Sequence, residues 1–165
     1  MVAMPEFCRE NGVPFFYDPG QRIPALSKEQ LESGVTGAEA VFANDYEISL
    51  IEKKTGLDEQ GLLTKAKALV ITYGHEGSRV VTRGGEKRVA AAKVEHAVDP
   101  TGAGDAYRAG FLKGALASLP LEVCGSLGSV AAAYAVEKYG TQKHTFTLPE
   151  FRARFEAAYG EACPI

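Results

Sequence analysis

The residues best suited to chemistry lie in a glycine-rich turn in the second half of the chain, Asp99-Pro100-Thr101-Gly102-Ala103-Gly104-Asp105. Gly102, Ala103 and Gly104 carry almost no side chain, so their backbone N–H groups can approach an anion closely where the next helix is predicted to begin. A helix start concentrates unpaired N–H donors and partial positive charge. Such a turn could hold an oxyanion or a transferring phosphoryl group, and Asp105 beside it could accept the proton of an attacking hydroxyl.

The same turn also has a purely structural interpretation. The three small residues could merely give a tight helix entry, while Asp105 compensates the helix dipole. Short glycine motifs recur by chance, so the residues alone leave both interpretations open. Two other phosphate-binding patterns are absent: no G-x-x-x-x-G-K-[ST] occurs, and a dinucleotide fingerprint would need glycine at position 107, where Tyr107 stands.

A second pair of candidate residues, Asn44 and Glu47, follows a predicted buried strand. If a helix begins here, positions i and i+3 project to the same side. An amide and a carboxylate at the end of a parallel strand suit Mg²⁺, which is held largely through water and substrate phosphates. The alternative is that Asn44 caps the helix and Glu47 is its capping-box partner, and both roles can hold at once.

A third candidate is the turn Thr72-Tyr73-Gly74-His75-Glu76-Gly77. Gly74 and Gly77 permit a tight bend whose backbone can lie against a flat ring or a phosphate. A simple connection between two strands explains the same residues, and without further information it is the preferred interpretation.

The elements that must position these residues alternate along the chain. Helical patterns are predicted to begin at the capping box Ser27 to Gln30 and to cover 45–55, 58–67, 104–118, 121–139 and 149–159. Short apolar runs predict buried strands at 13–17, 40–43 and 68–72, and a hairpin at 78–82 and 87–91 around residues 83–86. Strands that are apolar on both faces belong in a parallel sheet covered by helices. The order predicts a doubly wound α/β fold.

Composition excludes several classes of protein. A formal net charge of −3 over 165 residues argues against a nucleic-acid partner, which would need a basic face. No apolar run is long enough to cross a bilayer, and the first residues lack the pattern of a signal peptide, so no membrane association is predicted. Cys8, Cys124 and Cys163 are widely spaced and form no metal or disulfide framework, which suits a reducing cytoplasm.

The segment Asp99 to Leu112 resembles the C-terminal signature of the PfkB (ribokinase-like) carbohydrate kinase family. Within that family the chain most resembles bacterial adenosine-kinase-like members, which share short sequence segments with it, such as residues 18–21, 44–47, 99–102 and 140–142. The resemblance covers essentially the whole chain. It implies a three-layer α/β/α ribokinase-like fold, of which this would be the nucleotide-binding half, with a parallel sheet and a β-hairpin.

The resemblance also implies residue roles. Asp105 would be the catalytic base, and the backbone of Gly102, Ala103 and Gly104 the anion hole. Asn44 and Glu47 would match the family's N-x-x-E motif and orient Mg²⁺ through water. The nucleotide site would include Thr72, Gly74, Gly77 and Ser129. Asp99 would match a ligand of the monovalent-cation site of many relatives, which permits K⁺ without requiring it.

The function implied is transfer of phosphate from ATP to a sugar or nucleoside hydroxyl, with the 5′-OH of adenosine as the favoured acceptor. Residues 1–165 would form the C-terminal, ATP-binding half of the kinase domain, without the N-terminal acceptor-binding half and its lid. Such a half should expose a sheet edge, which favours self-association, and should turn over weakly or not at all alone. A non-catalytic nucleotide-binding remnant and, more remotely, an NAD-binding domain are the alternatives.

Overall fold

A computed structural model describes residues 3–165 of the chain, which contain seven α-helices and five β-strands. The helices are α1 (Ala3–Glu10), α2 (Lys28–Val35), α3 (Asp45–Thr55), α4 (Glu59–Leu63), α5 (Ala103–Leu116), α6 (Leu121–Val136) and α7 (Leu148–Tyr159). The strands are β1 (Phe16–Tyr17), β2 (Ala40–Asn44), β3 (Ala68–Thr72), β4 (Ser78–Thr82) and β5 (Gly85–Val89). Two 3₁₀ helices, Gly20–Ala25 and Gly74–Glu76, complete the regular structure of the described residues.

The five strands form one sheet in the order β1-β2-β3-β4-β5. β1 pairs with β2 and β2 with β3, both in parallel, so the predicted parallel sheet is confirmed for these strands. β4 and β5 are adjacent and are joined by residues 83–84 alone, which makes them the predicted hairpin. β1 has a single neighbour in the sheet and is therefore an edge strand.

Two strand predictions were wrong in their boundaries. The first strand begins at Phe16 rather than at position 13, because the N–H of Val13 donates to the carbonyl of Cys8 in the last turn of α1 and Pro14 has no N–H to offer a strand. β5 begins at Gly85 rather than at position 87. The turn is thus reduced to two residues, the length that best matches the twist of paired strands.

The helix predictions hold, with end shifts of at most four residues and none for α3. The largest correction is α4, which ends at Leu63 instead of continuing to position 67, since the N–H groups of Lys65 and Ala66 both turn back to the carbonyl of Leu62. The sequence patterns did not predict α1 at all.

The described residues divide into two compact units, of which the first runs to Gly74 and also includes Arg79–Lys87. Its core joins alternate residues of β2 and β3, such as Val41 and Leu69, to the apolar sides of α2, α3 and α4. Phe42 and Val70, which alternate with them, are buried as well, so both faces of these strands are covered.

The second unit comprises His75–Ser78 and Arg88–Ile165 and is built on the pair α5 and α6. Glycines allow these helices to approach closely. A Cβ atom at Gly110 would lie 2.5 Å from the carbonyl oxygen of Leu127, and one at Gly114 would lie 2.9 Å from the sulfur of Cys124. Phe151 and Phe155 of α7 complete this core, as their predicted i,i+4 spacing suggested.

Candidate active site

The glycine-rich turn lies in the second unit and is held in place by Asp99. One carboxylate oxygen of Asp99 accepts the N–H of Thr101 at 2.9 Å, and the other accepts the N–H of Gly140 at 2.9 Å. These hydrogen bonds hold the pKa of the Asp99 carboxyl below its usual value. Thr101 has the larger effect and Gly140 the smaller. Asp99 thus ties the turn to a loop 41 residues further along the chain.

Gly102 is the residue at which the turn becomes a helix. Its φ of +85° and ψ of −4° are left-handed, a conformation that glycine adopts without strain. A Cβ atom here would lie 3.0 Å from the Cα atom of Thr141, so the turn can pack this closely against the loop at Thr141 only with glycine at position 102. The predicted tight helix entry is therefore confirmed.

The N–H donors at the start of α5 differ in one respect from the prediction. The N–H of Ala103 donates to the Pro100 carbonyl at 3.1 Å, because residues 100–103 close a hydrogen-bonded turn, so the expectation that all three amides are available is wrong for Ala103. Within residues 3–165, no acceptor is found for the N–H of Gly102 or of Gly104. These two amides remain as donors for an anion.

Asp105 lies in the first turn of α5, as predicted, and its side chain is 87% exposed. Its nearest cation is Arg108 on the same helix, with Nη1 3.6 Å from the carboxylate Oδ1. The same Nη1 lies over Gly104, where a Cβ atom would approach it to 2.6 Å. A guanidinium, a helix start and an accessible carboxylate thus surround one point of the chain. That set of charges suits a phosphoryl group and a hydroxyl being deprotonated.

Asn44 and Glu47, in the first unit, form the capping box that the sequence suggested. The Oδ1 atom of Asn44 accepts the N–H of Glu47 at 2.7 Å, and the Oε2 atom of Glu47 accepts the N–H of Asn44 at 2.9 Å. Parallel pairing places Asn44 directly beside Thr72, so both residues lie at the carboxyl ends of their strands, at the same end of the sheet. The second carboxylate oxygen of Glu47 is not used by the box. It fits a metal-bound water, the form in which Mg²⁺ is commonly held.

Gly74 and Gly77 occupy the turn after β3, and both have left-handed φ values, +57° and +97°. Gly74 has open space where a side chain would be. At Gly77 a Cβ atom would lie 2.1 Å from the carbonyl oxygen of Val89, so the glycine allows two backbone segments of the second unit to touch. Gly77 thus has a structural reason to be glycine, whatever it binds.

Ser129, predicted near the adenine, is buried in α6, and its hydroxyl accepts the N–H of Ala92 at 2.8 Å. This bond ties α6 to the segment that follows β5. A contact of Ser129 with a nucleotide stays a prediction.

Comparison with known proteins places the chain in a family. The model of the pfkB family of carbohydrate kinases matches residues 1–147. The chain belongs to this family. A nucleoside kinase of Methanothermobacter thermautotrophicus is 39% identical over 161 residues, which are 97% of this chain and 52% of that protein. The chain spans about half the length of the curated relatives it matches.

Solved structures of family members confirm the ribokinase-like α/β fold. The nucleoside kinase of Burkholderia thailandensis in complex with inosine is 35% identical, with a TM-score of 0.94 over 98% of this chain and 53% of that one. The same kinase in complex with ADP-inosine gives a TM-score of 0.95, again at 35% identity, over 98% of this chain and 50% of that one. The predicted family and the prediction of a C-terminal half agree with these matches.

Within residues 3–165 of this pfkB-family chain, no helix is both long and apolar enough to span a bilayer. That part of the chain also contains no group of three or more His, Cys, Asp or Glu side chains arranged to hold a metal ion.

Sequence reasoning missed one pair beside the site, Tyr107 and Ser78. Their hydroxyl oxygens are 2.8 Å apart in the interior of the second unit. The signal in the sequence is the Gly125-x-x-Gly128 spacing, which places two glycines on one face of α6 and leaves room there for a large side chain.

Proposed function

We propose that these residues form the ATP-binding half of a pfkB-family kinase that phosphorylates a hydroxyl group of a nucleoside or sugar. The observation that carries the proposal is the start of α5, where the amides of Gly102 and Gly104, the guanidinium of Arg108 and the exposed carboxylate of Asp105 meet. The family match and the nucleoside kinases among its structural relatives support it.

In the proposed reaction, Asp105 accepts the proton of the acceptor hydroxyl as the hydroxyl oxygen forms a bond to the γ-phosphorus of ATP. The bond between that phosphorus and the bridging oxygen breaks, and ADP leaves with the electron pair. Phosphoryl transfer depends mostly on positioning and electrostatic stabilisation. The N–H groups of Gly102 and Gly104 and the cation of Arg108 would stabilise negative charge on the phosphoryl oxygens.

The remaining residues would bind the rest of the nucleotide. Asn44 and Glu47 would orient Mg²⁺ through water, and the metal would neutralise phosphate charge. The residues proposed to line the nucleotide site are Thr72, Gly74, Gly77 and Ser129. Asp99 would fix the turn through its two hydrogen bonds, and a K⁺ ion would bind beside it, if one is used, through neighbouring backbone carbonyls.

The acceptor is proposed to be a nucleoside, with adenosine as the specific candidate. Inosine, with which the Burkholderia thailandensis kinase forms a complex, is the second compound to test. Residues 1–165 by themselves are proposed to catalyse phosphoryl transfer only weakly, because an ATP-binding half alone would not hold the acceptor hydroxyl in position. The unpaired cysteines at positions 8, 124 and 163 suit a cytoplasmic location.

The first experiment is calorimetric titration of the chain with ATP and Mg²⁺, with NAD as the comparison ligand. Binding of ATP but not NAD is expected. The reverse result would assign the chain to dinucleotide binding, and no binding of either would contradict an ATP-binding half.

The second experiment is the Asp105→Asn variant. It should retain ATP binding and lose phosphotransfer to adenosine or inosine by about a hundredfold or more, since general bases contribute that much. Turnover is measured on this chain and on a longer polypeptide that joins these residues to an acceptor-binding half. Glu122→Gln is the matched control, because Glu122 is also a first-turn acid, on α6. Full activity of Asp105→Asn would exclude Asp105 as the base.

A further inference from the structure

Tyr107 lies two residues after Asp105, on the face of α5 that points into the second unit. Only 5% of its surface is exposed, and its hydroxyl oxygen lies 2.8 Å from that of Ser78, which is 4% exposed. Burial raises the pKa of the Tyr107 phenol, so the group stays protonated and keeps a hydrogen to share. Buried hydroxyl groups normally have a partner, and here each residue supplies one for the other.

The hydrogen bond connects two segments that the proposed function uses. Ser78 directly follows Gly77, whose backbone touches the strand segment at Val89. Tyr107 sits one turn into the helix whose start carries Asp105 and the free amide of Gly104. The two partners are 29 residues apart in the sequence and are brought together by the fold.

Helix α6 leaves space for this tyrosine. A Cβ atom at Gly128 would lie 2.7 Å from the Tyr107 carbonyl oxygen and 3.1 Å from its ring. At Gly125 a Cβ atom would lie 3.2 Å from the Tyr107 hydroxyl oxygen itself. The ring and its hydroxyl therefore pack directly against the backbone of α6 at these two glycines.

We propose that Tyr107 is a positioning residue, whose hydroxyl group, bonded to Ser78, holds the start of α5 in register with the glycine turn at Gly77. This inference rests on the proposed function, because it assigns both segments to ATP binding. Phenylalanine would fill almost the same space in the core. What tyrosine adds is the hydroxyl group, which acts through its hydrogen bond to Ser78. Loss of the bond would let the Gly104 amide and Asp105 shift relative to the Gly77 turn.

The test compares Tyr107→Phe, Ser78→Ala and the double variant for thermal stability and ATP affinity. Each single variant leaves one buried hydroxyl without its partner, so Tm should fall by several degrees. ATP affinity should weaken about threefold to tenfold, the range of one hydrogen bond. The double variant removes both hydroxyls, so Tm should recover in part while ATP affinity stays weak.

A purely structural role for the bond predicts the opposite pattern. ATP affinity would then recover together with Tm in the double variant, or Tyr107→Phe would bind ATP like the wild type, and either result would overturn the proposal. Ile51→Val is the matched control. It removes one methyl group from a fully buried side chain on α3, in the core of the first unit, so it should lower Tm while its ATP affinity stays within about twofold.

A ligand-free measurement separates this inference from the proposed function. Amide hydrogen exchange at Ala103 and Ala106, whose N–H groups donate to the carbonyls of Pro100 and Gly102 at the start of α5, should be at least about threefold faster in Tyr107→Phe and Ser78→Ala than in the wild type, and unchanged in Ile51→Val. If the wild type binds no ATP but exchange still accelerates at both alanines, the coupling stands and the proposed function fails. Unchanged exchange at both alanines would refute the coupling itself.

Discussion

Replacing Gly102 by alanine tests the geometry on which the site depends. Gly102 has a φ of +85° and stands at the start of α5, and its missing side chain faces Thr141. Gly160, at the end of α7, provides a matched control in the same unit. Its φ is +72°, and no atom lies within 4 Å of the position that a Cβ atom would take. The two substitutions therefore share backbone strain and differ in crowding.

The expected cost follows from those two terms. A left-handed alanine costs roughly 1–2 kcal/mol, so Gly160→Ala should lower the free energy of unfolding by about that amount. At Gly102 the new methyl group would lie 3.0 Å from the Thr141 Cα atom and 3.1 Å from its Cβ atom. Moving the backbone of Thr141 away should cost roughly a further 1–3 kcal/mol, the usual range for overpacking. Gly102→Ala should thus be the more destabilising variant.

Urea unfolding and ATP titration of both variants provide the measurements. A shift of the turn by a few tenths of an ångström would also misplace the neighbouring amides. Each charge-assisted hydrogen bond is worth roughly 1.5–3 kcal/mol, so ATP affinity should fall about tenfold or more in Gly102→Ala. It should be unchanged in Gly160→Ala. Equal unfolding free energies would refute the crowding argument, and unaltered ATP affinity in Gly102→Ala would refute the anion site.

Three further predictions use the same assays. Gly77→Ala should cost at least about 3 kcal/mol, because its Cβ atom would lie 2.1 Å from a main-chain carbonyl oxygen, whereas Gly74→Ala, in open space, should cost roughly 1–2 kcal/mol; similar losses in the two variants would contradict this. The lowered pKa of Asp99 means that its contribution to stability is present above the ordinary value of 3.8 and is lost as pH falls through the folded-state pKa. Urea midpoints between about pH 2 and 5 should therefore fall more steeply on acidification in the wild type than in Asp99→Asn, and parallel curves would count against the two hydrogen bonds. Arg108→Met should weaken ATP binding about tenfold, as expected for loss of a charged phosphate contact, and Lys113→Met on the same helix should leave it within about twofold; equal effects would mean that only net charge matters.

Local chemistry could be predicted from the sequence where the deciding contacts are a few residues apart. The Asn44 and Glu47 pair has the spacing of a capping box, and that box is present with both of its hydrogen bonds. The same holds for the helix entry at Gly102, since proline and glycine act on their own backbone. The short apolar runs at β2 and β3 similarly predicted buried strands, because burial on both faces leaves a continuous apolar pattern.

Predictions failed where a distant or competing contact decides the outcome. The first strand is shortened by a bond from Val13 to the end of α1, a helix that no pattern indicated. Ala103 was expected to offer its N–H to an anion, but the turn at Pro100 uses that group. Nothing in the order of residues shows which of two acceptors a backbone donor will choose.

Most of the helices and strands, the family and the candidate chemistry of Asp105 could be predicted from residue types at short spacing, whereas α1 could not. Three contacts could be found only in the folded chain: Asp99 joins two loops, the backbone of Gly77 packs against Val89, and the hydroxyl of Tyr107 meets that of Ser78. Each of these contacts joins residues that are 12 or more positions apart. Side-chain and backbone atoms so distant along the chain meet only after the helices and strands have packed, so their partners are set by the fold and not by any local pattern.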